Sequence, residues 1–368
     1  MSRTPPNTIG YNTSRCLWID AAKGFAIFLV MLSHSSFWDF CNLYSPHITG
    51  VALIKKLFSV ATVSYMPLFY VLSGFTFKYR PGILNQRFNR LITPYIIWGL
   101  ICLLLTWYSV CMREYTILSF IRPACGLIYS RFSLFPLGNV DNIFLFPSGA
   151  SPLWFLTSLF TSYVCFIVIH RYQGFRLLII ASYIVLTIAL SFLPILLPWS
   201  LDTAPAGALF IYVGYQLKEQ KFFSNRLWKL LFISVIILPV YYYLISVNGG
   251  VNMSVRDYGK IPVLSPLVFL ILGLLGSIVY CIFCIILERS KLVAVFAYLG
   301  RISLTILCSH SLIYGISAIA LRKLSFSFYE EVHALKIDFI LNISAAIIFA
   351  IILEKFFQWR KLQALKLK

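Results

Sequence analysis

From Arg15 to His34 the chain reads as a membrane-spanning helix, yet it carries Asp20, Lys23 and His34. Charged groups at bilayer depth cost roughly 2.5–3.5 kcal/mol each on insertion scales, so they rarely sit there without a partner or a task. Lys23 and His34 are eleven residues apart. Helical steps of about 100° bring them to within about 20° of one face, about 16 Å apart along it. Asp20 joins that stripe three residues before Lys23. One face of one helix thus offers a cation low down and an imidazole further along, the geometry of a polar path through a membrane protein.

The rest of the chain is of the same kind. Of its 368 residues 60% are hydrophobic and 12% charged, half the charged share of a soluble domain. Apolar windows predict about ten spans, over 17–37, 57–77, 91–111, 152–170, 176–196, 200–217, 228–246, 261–287, 294–320 and 335–357. The expected fold is an all-α polytopic membrane helix bundle forming one domain over 1–368. A polar segment (1–14), a long outer-face loop (112–151) and a basic tail (358–368) complete it. Ser33-His34-Ser35-Ser36 offers no small-x-small cleavage site, which argues against a signal peptide. With both termini in the cytoplasm, nineteen of the 31 Lys and Arg fall inside and ten outside, as the positive-inside rule requires. Much of the net charge of +19 is therefore topology, and no nucleic-acid partner is implied.

The nine cysteines are scattered, and the single CxxC, Cys281 and Cys284, lies in an apolar run that suits packing. No spacing suggests a metal site. The loop at 112–151 mixes aromatics, prolines and glycines, which fits an ordered cap or a connector on the lipid surface. The loop at 321–335, with Glu330 and Glu331, is a second outer feature.

Five segments, in order, resemble the acyltransferase-3 family of integral membrane acyltransferases. Trp18-Ile-Asp20-Ala-Ala-Lys23-Gly24 running to His34 resembles its first-helix signature, in which ten residues separate a basic residue from a histidine. Met66-Pro67-Leu68-Phe69-Tyr70-Val71-Leu72-Ser73-Gly74-Phe75 resembles its second span, and Arg87-Phe-Asn-Arg90-Leu-Ile-Thr-Pro94-Tyr95 the start of its third. Leu153-Trp154-Phe155-Leu156 and Leu299-Gly300-Arg301-Ile302-Ser303-Leu304 with His310 are similar to later segments. Resemblance to the family's sugar O-acetyltransferase, fucose 4-O-acetylase-like branch implies an acyl-coenzyme A donor, usually acetyl-coenzyme A, no bound cofactor, and a hydroxyl acceptor on a cell-surface polysaccharide or its lipid-linked precursor. It also implies a multi-pass protein of a bacterial inner membrane.

Acyl transfer from a thioester needs a base beside the acceptor hydroxyl, and a free imidazole with pKa near 6.5 suits that at neutral pH. His34 is the expected base, with Asp20 and His310 as further catalytic candidates. His310 either assists His34, orients the acceptor, or bonds another helix. Lys23, Arg87, Arg90 and Arg301 are candidate ligands for the donor's phosphates. An ion pair with Asp20 is the alternative for Lys23, and membrane anchoring the alternative for Arg87 and Arg90. Ser73, next to Gly74, either lets the acyl chain approach or packs a helix. Asp202 is placed to orient His34 or bind a sugar, or else sits in solvent. Trp154 stacks on a sugar ring or belongs to an interfacial belt. Ten spans with intramembrane charges also fit a secondary transporter, although no repeat or matched pair of broken spans is visible, and a polysaccharide-assembly protein is a third reading.

Overall fold

The computed structural model describes residues 16–112, 116–136, 142–224, 227–288 and 290–366. The expected polar segment 1–14 lies outside the described residues, as do Arg15, Arg113, Arg226, Arg289 and Lys368. The long apolar windows are helical, because an unpaired backbone N–H or C=O in lipid costs several kcal/mol and an α-helix pairs them within one segment. The chain builds α1 (Leu17–Ser33), α2 (Phe37–Tyr44), α3 (Thr49–Thr62), α4 (Tyr65–Phe75), α5 (Ile83–Cys111) and α6 (Ile117–Tyr129). After a loop come α7 (Trp154–Arg171), α8 (Arg176–Ser191), α9 (Ala204–Glu219), α10 (Leu227–Asn248) and α11 (Ser265–Ile286). The last four are α12 (Lys291–Arg301), α13 (Ser303–Leu324), α14 (Phe326–Ala334) and α15 (Asp338–Lys366). Among the described residues there is no strand, and the fold is all-α as expected.

Among the described residues seven helices are long and apolar enough to span a membrane alone, and two bent pairs raise that to nine. The pairs are α1 with α2, bent by 68°, and α3 with α4, bent by 42°. The expected span at 200–217 is α9, whose 16 residues rise about 24 Å, short of the ~30 Å hydrocarbon core. The window at 294–320 is broken at Ile302 into α12 and α13. The loop between α5 and α7 is ordered where described, with α6, an isolated bridge from Ser133 to Phe144, and a turn of 3-10 helix at Ser151–Leu153. Helix α7 lies at the centre, with 72% of its apolar window buried; α8 and α10, at 6% and 11%, face lipid.

Glycines set how near the central helices come. A Cβ on Gly24 would lie 1.8 Å from the Phe296 carbonyl oxygen, and one on Gly300 1.8 Å from that of Asp20. Backbones of α1 and α12 are therefore in contact, with Phe25 stacked on Phe296 at 3.6 Å between ring centroids. The same device joins α4 to α9, where a Cβ on Gly74 would meet the Ile211 carbonyl oxygen, and one on Gly214 that of Val71, at 1.9 Å. Lipid gives no hydrophobic drive between helices, so close packing at small residues holds them.

A charged cluster ties the loops at one end. Asp202, fully buried, pairs with Arg131 through one carboxylate oxygen and with the Arg256 Nε at 2.9 Å through the other. Arg131 also donates to the carbonyls of Leu197 at 3.1 Å and Ser254 at 2.9 Å, and Arg256 to those of Leu193 and Ile195 at 2.8 and 2.7 Å. Burial pulls the Arg256 guanidinium below the usual arginine range, and Asp202 beside it works the other way. Three loops, near 131, 193–202 and 254–256, close on one carboxylate.

Gly24→Ala or Gly300→Ala is expected to lose about 1–3 kcal/mol through overpacking. It is read as a lower melting temperature in detergent, while Gly50→Ala, whose Cβ meets open space, leaves the melt unchanged or higher. Asp202→Ala leaves two buried guanidiniums uncompensated and is expected to lose about 3–5 kcal/mol in the same assay.

Candidate functional site

Helix α1 positions the site. Lys23, Ile27, Val30 and His34 follow a 4-3-4 spacing, one stripe of a helix. The helix stops at Ser33 because hydroxyls take over its last carbonyls: Ser33 donates to Val30 at 2.9 Å, Ser35 to Leu32 at 2.8 Å and Tyr314 of α13 to Met31 at 3.0 Å. His34 occupies the resulting corner. Two residues on, Ser36 donates to Asp338 Oδ1 at 2.6 Å, so α15 braces the corner from outside.

His34 lines a cavity of about 190 Å³ with Ser33, Tyr65, Phe132, Trp154, Asn252 and Ser254 among its walls. The side chain is exposed to that space although it sits deep in the bundle. Its ring lies 5.4 Å, centroid to centroid, from that of His310, which is fully buried. The His310 Nδ1 is 2.9 Å from the Ile306 carbonyl oxygen, which can only accept, so Nδ1 carries the proton and Nε2 the lone pair. Among the described residues nothing bonds Nε2. Two imidazoles therefore meet at the cavity wall, one of them with a fixed tautomer.

A second cavity of about 110 Å³ lies further down the α1 stripe, with Lys23, Arg87 and Arg90 around it and Ser73, Thr76 and Ser303 between them. The Arg87 guanidinium rests over the Tyr163 ring at 4.3 Å, and the Tyr163 hydroxyl donates to the Ser73 carbonyl at 2.9 Å. Three cationic side chains converge on this cavity, and its described lining includes no carboxylate.

The cavities approach each other to within one helical turn. Ile27 lines the basic cavity and Val30 the histidine cavity; on α4 the same division falls between Phe69 and Met66, and on α7 between Phe155 and Trp154. On α13 it falls between Leu304 and Leu307, and Leu307 touches both spaces. A turn is about 5.4 Å, so a thin apolar septum separates the two cavities.

Of the residues singled out from the sequence, Lys23, Arg87, Arg90 and Ser73 converge on one cavity and His34 and Trp154 on the other, with His310 beside His34. Trp154 is buried in the site rather than in an interfacial belt. Three others stand apart. Asp20 is buried a turn before Lys23 and lines neither cavity. Arg301 is exposed, its Nε 3.4 Å from the Ala297 carbonyl, because Gly300 faces α1 and the next residue turns about 100° away. Asp202 neither orients His34 nor meets solvent, since Arg131 and Arg256 hold both its oxygens. Gly74, beside Ser73, packs against α9. Sequence reasoning missed Leu307, Tyr163, Tyr314 and Asp338; an apolar residue, two aromatics and a helix-start carboxylate give no signal without their partners.

Residues 17–354 match the acyltransferase-domain model of the acyltransferase-3 family, and the chain belongs to that family. It is a multi-pass membrane acyltransferase. No curated protein and no solved structure matches it.

Proposed function

We propose that the protein moves an acyl group, acetyl in the simplest case, from acyl-coenzyme A to a hydroxyl of a cell-surface polysaccharide or its lipid-linked precursor. The observation that carries this reading is the pair of cavities on the α1 stripe, one cationic and one bearing His34, with a single helical turn between them. Phosphates of the donor sit on Lys23, Arg87 and Arg90, where charge-assisted bonds are strongest. The narrow pantetheine arm crosses the septum and brings the thioester to His34.

The acceptor hydroxyl enters the histidine cavity, whose described walls offer hydroxyls, an amide and aromatic faces of the kind that hold a sugar. His34 takes the hydroxyl proton as its oxygen bonds to the thioester carbonyl. The tetrahedral intermediate then collapses, the carbon–sulfur bond breaks, and the proton passes from His34 to the departing thiolate. As substrate binds, the two rings close from their 5.4 Å separation, the unbonded His310 Nε2 accepts the N–H of His34, and the other His34 nitrogen is left to act as base. With both termini cytoplasmic, the basic cavity opens toward the donor in the cytoplasm and the histidine cavity toward the outer face of a bacterial inner membrane.

The test is thiol release from acetyl-coenzyme A by purified protein supplied with surface-glycan extract, with mass spectrometry for an acetyl ester on the glycan. His34→Ala is expected to lose about 10²–10⁴ in kcat. Lys23→Ala and Arg87→Ala are expected to raise the donor KM about tenfold each, one charge-assisted contact being worth roughly 1.4 kcal/mol or more. A folded His34→Ala protein that acylates as fast as the wild type overturns the reading. A wild type that moves glycan-lipid across vesicles without releasing thiol favours the transporter.

A further inference from the structure

The septum between the cavities is stiff on α1, on α7 and, toward the basic cavity, on α4, while Met66 on the histidine-cavity face of α4 keeps the freedom of an unbranched side chain. Ile27 and Val30 are branched at Cβ and fully buried, so one rotamer dominates in a helix. Their helix is clasped to α12 at Gly24 and Gly300. On α4, which is clasped to α9 at Gly74 and Gly214, Phe69 is packed against Phe155 at 5.6 Å. Trp154 is a rigid indole, 6% exposed.

The fourth side differs. Leu307 is unbranched at Cβ, sits on α13 after the break at Ile302, and among the described residues is the one that lines both cavities. A leucine can move between staggered wells without backbone change.

We propose that Leu307 is the gate through which the donor thioester reaches His34, and that its side chain sets the length of acyl chain transferred. The inference rests on the donor reading above. With the phosphates held at Lys23 and Arg87, the chain that joins them to the thioester has to cross the septum, and Leu307 occupies the crossing. The pantetheine arm takes the crossing and the acceptor the histidine cavity, so acyl carbons beyond the carbonyl fold back against the histidine-cavity face of the septum, where they meet Leu307. Shortening that side chain opens room for a longer acyl group; enlarging it closes the crossing.

The experiment compares kcat/KM for acetyl- and butyryl-coenzyme A, by thiol release with glycan acceptor, in wild type, Leu307→Ala, Leu307→Met and Leu307→Phe. Binding of adenosine 3′,5′-bisphosphate, the phosphate-bearing end of the donor without its pantetheine arm, is measured alongside as a non-reacting probe of the basic cavity. Leu307→Ala is expected to raise the butyryl-to-acetyl ratio at least tenfold, Leu307→Met to keep the wild-type ratio, and Leu307→Phe to lower kcat for both donors, all with probe binding unchanged. If Leu307→Ala does not fold, Leu307→Val takes its place, with a smaller shift in the same direction. A folded variant that binds the probe normally and keeps the wild-type ratio overturns the gate, while His34→Ala still reports separately on the transfer reading. A wild type that binds the probe and consumes neither donor overturns both.

Discussion

Contact between helix backbones at Gly24 and Gly300 is the constraint on which the arrangement of the bundle depends. Helix α12 covers one side of α1 so closely that no side chain fits between them at Gly24 and Gly300, and Ala21 is fully buried beside that seam. A stripe of α1 about a quarter turn from Gly24 faces the two cavities, whose other walls include α4, α7 and α13, and that stripe holds Lys23 and His34. The Gly74–Gly214 contact fixes α4 in the same way against α9. Two polar side chains then stand at fixed heights on a rigid rod, with their neighbours held at fixed distances. In lipid, where association rests on packing instead of on expulsion of water, such seams replace the hydrophobic core of a soluble enzyme.

The helical class and the α1 stripe are legible in the sequence because each follows from a local rule. An apolar segment in lipid has the helix as its one way to pair its backbone, and the helical period alone puts Lys23 and His34 on one face. What local rules cannot supply is which distant groups meet. Arg87 and Arg90 read equally well as anchors, and only the fold brings them to Lys23. Asp202 looked available because it stands at the end of an apolar run, but its partners Arg131 and Arg256 lie in loops far from it in the chain. The break at Ile302 is hidden inside a continuous apolar window, and with it the turn that sends Arg301 outward.

The Asp202 cluster shows a second way in which a membrane protein uses charge. Three ionised groups are sealed among loop carbonyls, where each guanidinium finds several acceptors and the carboxylate finds two guanidiniums. Such a cluster adds little net stability over an apolar one of equal volume, yet it tolerates no partial loss. Its place is at the end of the bundle that bears the histidine cavity, whose walls include Ser254 from one of the tethered loops. Charge in the basic cavity is arranged the other way, with cations converging on an open space.

The thinness of the septum has an electrical consequence. Where solvent-filled hollows enter a bilayer protein from both faces, the transmembrane voltage drops over the insulating layer left between them, here a single turn thick. On the donor reading proposed above, ionic phosphates held beneath that layer would stay outside the steep part of the field, while an uncharged thioester would slide through it. Catalysis on this plan would move no net charge and neither draw on nor dissipate the energy stored across the membrane.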